Sequence, residues 1–216
     1  MSIKSIFKYF IFYNYLKKIK NYLLLIRDVK VFRSKSKKFK KLKIVIGSSN
    51  TVYKEWISTN ENILNLTNFE SFKKILEENS VDNFLAEHVF EHLTLSQCKL
   101  ATENCYRFLK FNGVLRIAVP DGNFPEKDYI DKVKPNGSGE GAYDHKQLFT
   151  YKTLKNIFDK NHFDLKFLEY FDENGNFIQN GISWENGFII RSKDNDPRNT
   201  QNKINYSSII VDAKKK

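Results

Sequence analysis

The chain has 216 residues, which is enough for one full hydrophobic core and short for two. Its formal net charge of +11 lies at one end: residues 1–43 hold 14 basic residues and one acid, whereas residues 44–216 hold 22 basic residues and 24 acids. The two cysteines, Cys98 and Cys105, are too few for a disulfide framework and suit a reducing, cytoplasmic compartment. We therefore expect a basic arm over residues 1–42 and one domain over residues 43–216.

The arm interleaves apolar and basic residues, and this pattern predicts an amphipathic helix. Its apolar side chains recur at spacings of three and four: Tyr9, Phe12, Leu16, Ile19 and Leu23. Lys17, Lys18 and Lys20 argue against a membrane span, since each costs roughly 3 kcal/mol inside the bilayer. The lysines also interrupt the apolar run that a cleaved signal peptide requires.

Two roles for the arm stay open. Residues 3–43 would suit an interfacial helix on the inner face of a membrane, with aromatic side chains in the acyl boundary and lysines at anionic headgroups. Alternatively, the helix covers one side of the sheet and a solvated basic linker follows it. Nucleic acid is not an expected partner, because no recognised binding module accompanies the charge. The oligomeric state is not predicted.

From Lys43 onwards the chain alternates short apolar runs with helical segments, which is typical of a mostly parallel sheet with helices on both faces. The runs that predict strands are residues 43–47, 63–66, 81–86, 114–119, 164–170 and 204–211. Helices are predicted over 69–78, 94–110 and 151–160, and turns over 111–113 and 172–176. Only a short or irregular first crossover fits between Ser48 and Trp56.

Acids and imidazoles follow the strand predicted over 81–86, where parallel sheets bind ligands; they are Glu87, His88, Glu91 and His92. The segment His88–His92 also matches H-x-x-E-H, an inverted zinc-peptidase pattern. His88 comes directly after the strand rather than inside a helix, and so short a match arises easily by chance. We predict no metal site. These side chains either line a pocket or bond backbone amides at the start of a helix.

A second candidate edge follows the strand predicted over 114–119. Asp121 is expected across the pocket from His88, either as a proton acceptor or as an ordinary turn residue. The long connection over 123–147 contains Asp144-His145, in which His145 could act as a general base oriented by Asp144 or by Asp121. We favour His145 over His88 as that base.

The segments A-E-H-V-F-E-H-L (86–93) and L-K-F-N-G-V-L-R-I-A-V-P-D (109–121) resemble the distal half of a class I S-adenosylmethionine-dependent methyltransferase. They are most similar to a group of small predicted methyltransferases with A-E-H-V-x-E-H-L and L-K-P-G-G-x-L-R-I-A-V-P-D motifs. The resemblance covers roughly residues 43–213. It implies a Rossmann-like methyltransferase fold, S-adenosylmethionine as cofactor, and methyl transfer to a small-molecule or glycan acceptor. The acceptor that we favour is a cell-surface glycan or its precursor.

The resemblance also implies which residues hold the cofactor: Gly47, Ser48, Ser49, Asn60, Asn65, Leu66, Glu87 and His88. The implied catalytic residues are His145, Asp121 and His88. The chain departs from the family pattern at Ser49 and Glu55, where glycine is usual, and at Asn60, where an acid holds the ribose and Glu61 could substitute. These departures leave one alternative open, a non-catalytic scaffold or binding protein with a degenerate cofactor site.

Overall fold

Residues 3–48, 53–159 and 162–216 are described by the computed structural model, the side chains of residues 3–11 excepted. The contacts divide the chain into two compact units, Met1–Lys40 and Lys41–Lys216.

The first unit consists mainly of one long helix, α1 (Ile3–Ser36), which contains the predicted amphipathic segment and four of the nine basic residues over 27–43. Phe12, Leu16, Ile19 and Leu23 of the predicted apolar face are all exposed on this helix. The side chain of Tyr9 lies outside the described part of the chain. No helix among the described residues combines the length and the apolar character needed to span a bilayer.

The second unit is built on a seven-stranded sheet with the order β2-β1-β3-β4-β7-β5-β6. Its strands are β1 (Lys43–Ile46), β2 (Ile57–Ser58), β3 (Val81–Glu87), β4 (Leu109–Pro120), β5 (Phe163–Phe171), β6 (Phe177–Gln179) and β7 (Ser208–Lys215). Strands β1 to β5 run in one direction, whereas β7 is antiparallel to both of its neighbours, β4 and β5, and β6 is antiparallel to β5. This mixed sheet with its helices confirms the Rossmann-like α/β fold.

The α-helices of the second unit are short and mostly begin at capped residues. They are α2 (Phe69–Ile75), α3 (Leu95–Phe108), α4 (Lys127–Val133) and α5 (Tyr151–Lys155). Asn68 caps α2, while Thr94 and Thr150 close capping boxes at the starts of α3 and α5, and these side chains satisfy amides that would otherwise lack partners. Helix α5 gives way to a 3-10 turn over Asn156–Phe158.

The two faces of the sheet are covered differently. On one face α2 packs against α3 and the sheet: the ring of Phe72 lies 5.0 Å from that of Phe108 and 6.1 Å from that of Phe84. On the other face, where helices were also expected, the described residues of the second unit place an irregular segment over 182–190. Ile189 of this segment is fully buried in one cluster with Leu85.

Two strand assignments from the sequence are wrong. Residues 63–66 form turns, because Leu64 and Leu66 bury their side chains while the Leu66 carbonyl accepts a hydrogen bond from Asn104. The strand beside β1 is instead the two-residue β2. The last strand starts at Ser208 rather than at residue 204, since the Asn199 side chain accepts the backbone N–H groups of residues 205 and 206.

The predicted turn over 111–113 lies inside β4 as an irregularity. Val81 pairs with Leu109 and Asn83 already pairs with Val114, so three extra residues are accommodated on β4. Within this irregularity, Asn112 adopts a left-handed backbone conformation with a φ of 64°.

Candidate functional site

The order of the sheet creates a crevice between β1 and β3. After β1 the chain adds β2 on one side, and it then returns to add β3 on the other side. In open α/β sheets ligands bind at such a switch point, outside the carboxyl ends of the strands. Gly47 directly follows β1 and Glu87 ends β3, so two of the predicted site residues lie at this crevice.

Gly47 occupies a position where only glycine fits without a shift. Its φ is +66°, and a Cβ atom would lie 2.7 Å from Cγ2 of Val89. The next residue, Ser48, donates its backbone N–H to the carbonyl of Thr59 at 2.9 Å, which ties the loop after β1 to the end of β2. Ser49 lies outside the described residues.

A cavity of about 320 Å³, the smaller cavity, opens at this crevice. It is lined by Val45, Ile46, Gly47, Ser48, Tyr53, Leu85, Glu87, His88, Ile190 and Arg191. The Tyr53 hydroxyl is buried here with no hydrogen-bond partner among the described residues. Burial, and to a smaller extent the charge of Glu87, raise the pKa of Tyr53 to about 12, so the hydroxyl keeps its proton as a donor.

Glu87 is held with its carboxylate at the rim of the smaller cavity. Its Oε1 atom accepts the backbone N–H of Arg191 at 2.7 Å, which also fixes the segment that covers the second face of the sheet. The carboxylate adds a negative charge to a lining that also contains Arg191, His88 and the Tyr53 hydroxyl.

His88 follows Glu87 in a strained backbone conformation. Its φ is +54°, which is rare for a residue with a side chain and is found mainly where the surroundings impose it. Its backbone N–H donates to the carbonyl of Ala118 at 2.9 Å, and this contact extends the β3–β4 pairing by one residue.

Both ring nitrogens of His88 face acceptors. Nε2 lies 3.2 Å from Oγ of Ser208, whose own hydrogen goes to the Arg191 carbonyl at 2.8 Å, so Nε2 is the donor. Nδ1 lies 2.9 Å from Oε1 of Glu91, although the direction of the ring N–H is poor for a hydrogen bond. Both ring nitrogens are thus engaged with protein groups, which makes His88 a poor candidate for a base.

Glu91 is completely buried, and neither of its carboxylate oxygens has a hydrogen-bond partner among the described residues. Burial is the largest single influence and pushes the pKa of this carboxyl up, but the combined effects of His88, the local backbone and His92 leave the pKa below its ordinary value. Glu91 is thus a buried carboxylate.

A second cavity of about 1040 Å³, the larger cavity, opens beside the smaller one. Its wall combines aromatic, acidic and basic side chains, among them Tyr129, Tyr206, Glu91, Glu126, Asp196, Arg198 and Lys203. His88, Ile190 and Arg191 line both cavities. The two spaces therefore meet at the end of β3.

His145 lies in the wall of the larger cavity and is 8% exposed. Its Nδ1 atom lies 2.7 Å from the carbonyl oxygen of Val133. A carbonyl only accepts, so Nδ1 carries the hydrogen and Nε2 keeps the lone pair. The neighbouring Asp144 is close to His92 instead, with 3.5 Å between Oδ2 and Nδ1, so the predicted Asp144–His145 pair does not form.

Asp121 lines neither cavity. Its carboxylate accepts the backbone N–H groups of Asn123 at 2.9 Å and of Phe171 at 2.6 Å, which joins the end of β4 to β5. Burial raises the pKa of Asp121 to about 6, although both hydrogen bonds oppose this. The contacts match the second alternative from the sequence, a turn residue, rather than a proton acceptor facing His88.

The residues expected at the ribose and adenine also serve the loop after β2. Asn60 Oδ1 accepts the backbone N–H of Ile63 at 3.2 Å, and Asn65 Oδ1 accepts that of Thr67 at 2.9 Å. The Glu61 carboxylate accepts from the Asn65 amide at 3.2 Å, while Leu66 is buried. None of these four side chains lines either described cavity.

Sequence reasoning missed Tyr53, Arg191 and Tyr206. Arg191 directly follows the apolar run Phe188–Ile190, the same sign that identified His88 after β3. No comparable sign exists for Tyr53, which reaches the crevice from an irregular loop, or for Tyr206, whose position depends on the contacts of Asn199.

No protein-family model matches the chain. No curated protein matches it either. Among solved structures, it is similar to a SAM-dependent methyltransferase from Archaeoglobus fulgidus, with 19% identity, coverage of 94% of this chain and 100% of the other, and a TM-score of 0.44.

Two further solved structures are similar at the same level. One is a SAM-dependent methyltransferase from Thermotoga maritima, described as a possible histamine N-methyltransferase, with 14% identity, coverage of 96% and 100%, and a TM-score of 0.45. The other is a SAM-dependent methyltransferase from Methanosarcina mazei, with 13% identity, coverage of 78% and 70%, and a TM-score of 0.41. These likenesses are too distant to carry an inference about this chain.

Proposed function

We propose that the chain is an S-adenosylmethionine-dependent methyltransferase, with the cofactor in the smaller cavity and the methyl acceptor in the larger one. The observation that carries the proposal is the meeting of two cavities at His88, at the switch point of a Rossmann-like sheet. A transfer reaction needs two adjacent sites of this kind, because donor and acceptor must be aligned within one enclosed space.

The smaller cavity fits the cofactor at its amino-acid and sulfonium end. Gly47 lets the backbone approach a ligand closely, the Tyr53 hydroxyl offers an unused donor, and Glu87 supplies negative charge for an ammonium or sulfonium group. Asn60 and Asn65 would have to give up their turn contacts to bind the ribose or adenine. The cofactor itself supplies an activated methyl group, so the protein contributes mainly alignment.

A base is required only when the acceptor is a hydroxyl or a protonated amine. His145 is the better candidate, since its Nε2 lone pair belongs to a ring that lines the larger cavity, whereas both nitrogens of His88 face acceptors. His88 instead holds the junction of the two cavities in place. We assign Asp121 no part in proton transfer.

The acceptor we propose is polar and rich in hydroxyl groups, as a glycan or glycan precursor is. The larger cavity has tyrosine, carboxylate and guanidinium groups in its wall, and such groups suit a hydrogen-bonding ligand better than an apolar one. Incubation with labelled S-adenosylmethionine and a panel of sugars, amines and apolar alcohols tests this. Labelling of the apolar alcohols alone would contradict the assignment.

Tyr53→Phe tests the cofactor site. The substitution removes a buried hydroxyl that has no partner among the described residues, so we expect an unchanged or higher melting temperature together with about tenfold weaker binding of S-adenosylhomocysteine. Tyr22→Phe on α1, where the tyrosine is exposed, is the matched control and should bind as the wild type does. If Tyr53→Phe binds as tightly as Tyr22→Phe, the cofactor does not occupy the smaller cavity. Absence of binding to the wild type would favour the non-catalytic scaffold.

We also propose that residues 3–43 contact an anionic membrane surface, on the cytoplasmic side. Phe12, Tyr15 and Leu23 are 59%, 61% and 59% exposed on a helix that carries several lysines, a combination suited to an interface. In a pelleting experiment with anionic vesicles, the full chain should sediment with the vesicles, whereas a version that begins at Lys41 should stay in the supernatant. With neutral vesicles, both proteins should stay in the supernatant. Equal pelleting of the two proteins with anionic vesicles would refute the contact.

A further inference from the structure

Three metal-ligating side chains converge in the wall of the larger cavity. Glu91 and His92 belong to the 3-10 turn Phe90–His92, and His145 directly follows the turn Ala142–Asp144. One donor atom from each of the three side chains lies within 4.8 Å of the others. The backbone fixes this arrangement, because the N–H groups of Lys146 and Gln147 both donate to the Glu91 carbonyl, at 2.7 and 3.1 Å.

Glu91 carries a charge that the described protein groups satisfy only in part. The residue is fully buried, and neither carboxylate oxygen has a hydrogen-bond partner among the described residues. An isolated buried carboxylate is costly, so such groups are normally paired or coordinate a metal ion. His88 approaches Oε1 to 2.9 Å, which leaves Oε2 without a partner among the same residues.

His145 has the outer contact that metal-binding histidines typically have. Its Nδ1–H donates to the carbonyl of Val133 at 2.7 Å, which orients the ring and leaves Nε2 as the ligand atom. His92 is placed similarly against a carboxylate, with its Nδ1 3.5 Å from Oδ2 of Asp144. Backbone carbonyls and carboxylates are the usual outer partners of ligating imidazoles.

We propose that Glu91, His92 and His145 bind one divalent transition-metal ion of the zinc type. Two imidazoles and one carboxylate are the donor set of several zinc sites, whereas magnesium and calcium prefer oxygen ligands alone. Zinc–nitrogen distances of about 2.0–2.1 Å require ligand atoms about 3.4 Å apart in a tetrahedral site, so a small inward movement of the side chains completes it. The remaining position opens to the larger cavity, which all three residues line.

This site differs from the zinc-peptidase pattern over His88–His92. In that pattern both histidines bind the ion from one helix, but the His88 ring is fixed between Ser208 and Glu91. Glu91 takes the place of His88 as a ligand, and the third ligand, His145, comes from a distant loop of the chain. On the methyltransferase proposal, the ion would replace the free His145 imidazole as the group facing the acceptor.

The test is a calorimetric titration of Zn²⁺ onto the full chain after treatment with a chelator. We expect one bound ion per chain, and a visible ligand-field spectrum of a four-coordinate site when Co²⁺ is used instead. His145→Asn keeps an N–H near the Nδ1 position but removes Nε2, and it should weaken Zn²⁺ binding by about 100-fold or more. His162→Asn, at an exposed histidine outside the cluster, is the matched control and should bind as the wild type does.

Absence of Zn²⁺ binding to the wild type, or equal affinities of His145→Asn and His162→Asn, would overturn the proposal. If His145→Asn fails to fold, His92→Asn provides the same test, and it should also weaken Zn²⁺ binding. A parallel titration with S-adenosylhomocysteine in the absence of metal separates this proposal from the methyltransferase proposal, because each ligand reports on its own site.

Discussion

Two residues with side chains adopt left-handed backbone in segments that frame the crevice. His88 has a φ of +54° and Glu55 a φ of +65°. Such conformations cost of order 1 kcal/mol or more unless glycine occupies them. At the position of Glu55 the family that the sequence resembles usually has glycine. The positive φ at this position explains that preference, because glycine adopts it without strain. At His88 a glycine would relieve the backbone strain but would lose the contacts of the imidazole with Ser208 and Glu91.

Glu169 gives a pH prediction at the scale of one residue. Burial, partly opposed by hydrogen bonds from Ser207 and Lys193, raises its pKa from 4.5 to about 7. At pH values between 4.5 and about 7, the Glu169 carboxyl is ionised in the unfolded chain but protonated in the native one. Rising pH therefore removes stability, and the loss is complete above the native pKa. The loss reaches about 3 kcal/mol.

Glu169→Gln should remove this dependence. Oε1 accepts both hydrogen bonds, whereas Oε2 has no partner among the described residues, so an amide nitrogen can replace it without losing a contact. Urea unfolding of both proteins at several pH values should show the variant gaining stability over the wild type from pH 4.5 to 7, with no further gain above that range. A stability difference that stays constant across this range would contradict a native pKa of about 7 for Glu169.

At the scale of elements, a buried ionic network fixes the irregular segment on the second face of the sheet. Arg116 of β4 is completely buried and contacts both carboxylate oxygens of Asp212 on β7, at 2.6 and 2.8 Å. It also donates to the Gly187 carbonyl at 2.6 Å, and Asn186 donates to Asp212 at 2.9 Å. The arginine in the L-R-I-A-V-P-D motif is therefore structural.

Arg116→Met should destabilise the chain by about 3–5 kcal/mol, because it leaves the Asp212 carboxylate without its counter-charge. The double variant Arg116→Met/Asp212→Leu should recover part of this loss, since both charges are then absent. Lys134→Met, which breaks an exposed pair with Asp131, is the control and should cost far less. If Arg116→Met costs no more than Lys134→Met in denaturant unfolding, the network does not hold the segment.

The sequence predicted most elements because their apolar runs are buried along their own length, as in β1, β3 and β4. It missed β2, since Ile57 and Ser58 form a strand only through their pairing with β1. It left the role of Asp121 open for a related reason, because the backbone N–H of Phe171 that its carboxylate accepts lies 50 positions away. Contacts between distant segments decided these cases, and no local pattern encodes them.

At the scale of the whole molecule, the second unit brings the ends of β1 and β3 together with loops from residues 142–145 and 190–206. Predicted site residues come together where their position follows from strand order, so Gly47, Ser48, Glu87 and His88 share the smaller cavity. Asn60, Asn65 and Leu66 lie apart from both cavities because their loop uses their side chains and carbonyls for its own turns. The convergence of Glu91, His92 and His145 depends on the fold and could not be inferred from their spacing.

The central claim is that the smaller cavity binds the methyl donor, and calorimetric titration of S-adenosylmethionine onto the full-length chain tests it most directly. We predict saturable binding of one molecule per chain, and its loss in Gly47→Val, where a side chain would meet Val89 at the end of β1. Circular dichroism should show both proteins folded. A folded wild-type chain that binds no S-adenosylmethionine at high micromolar concentration would contradict the claim.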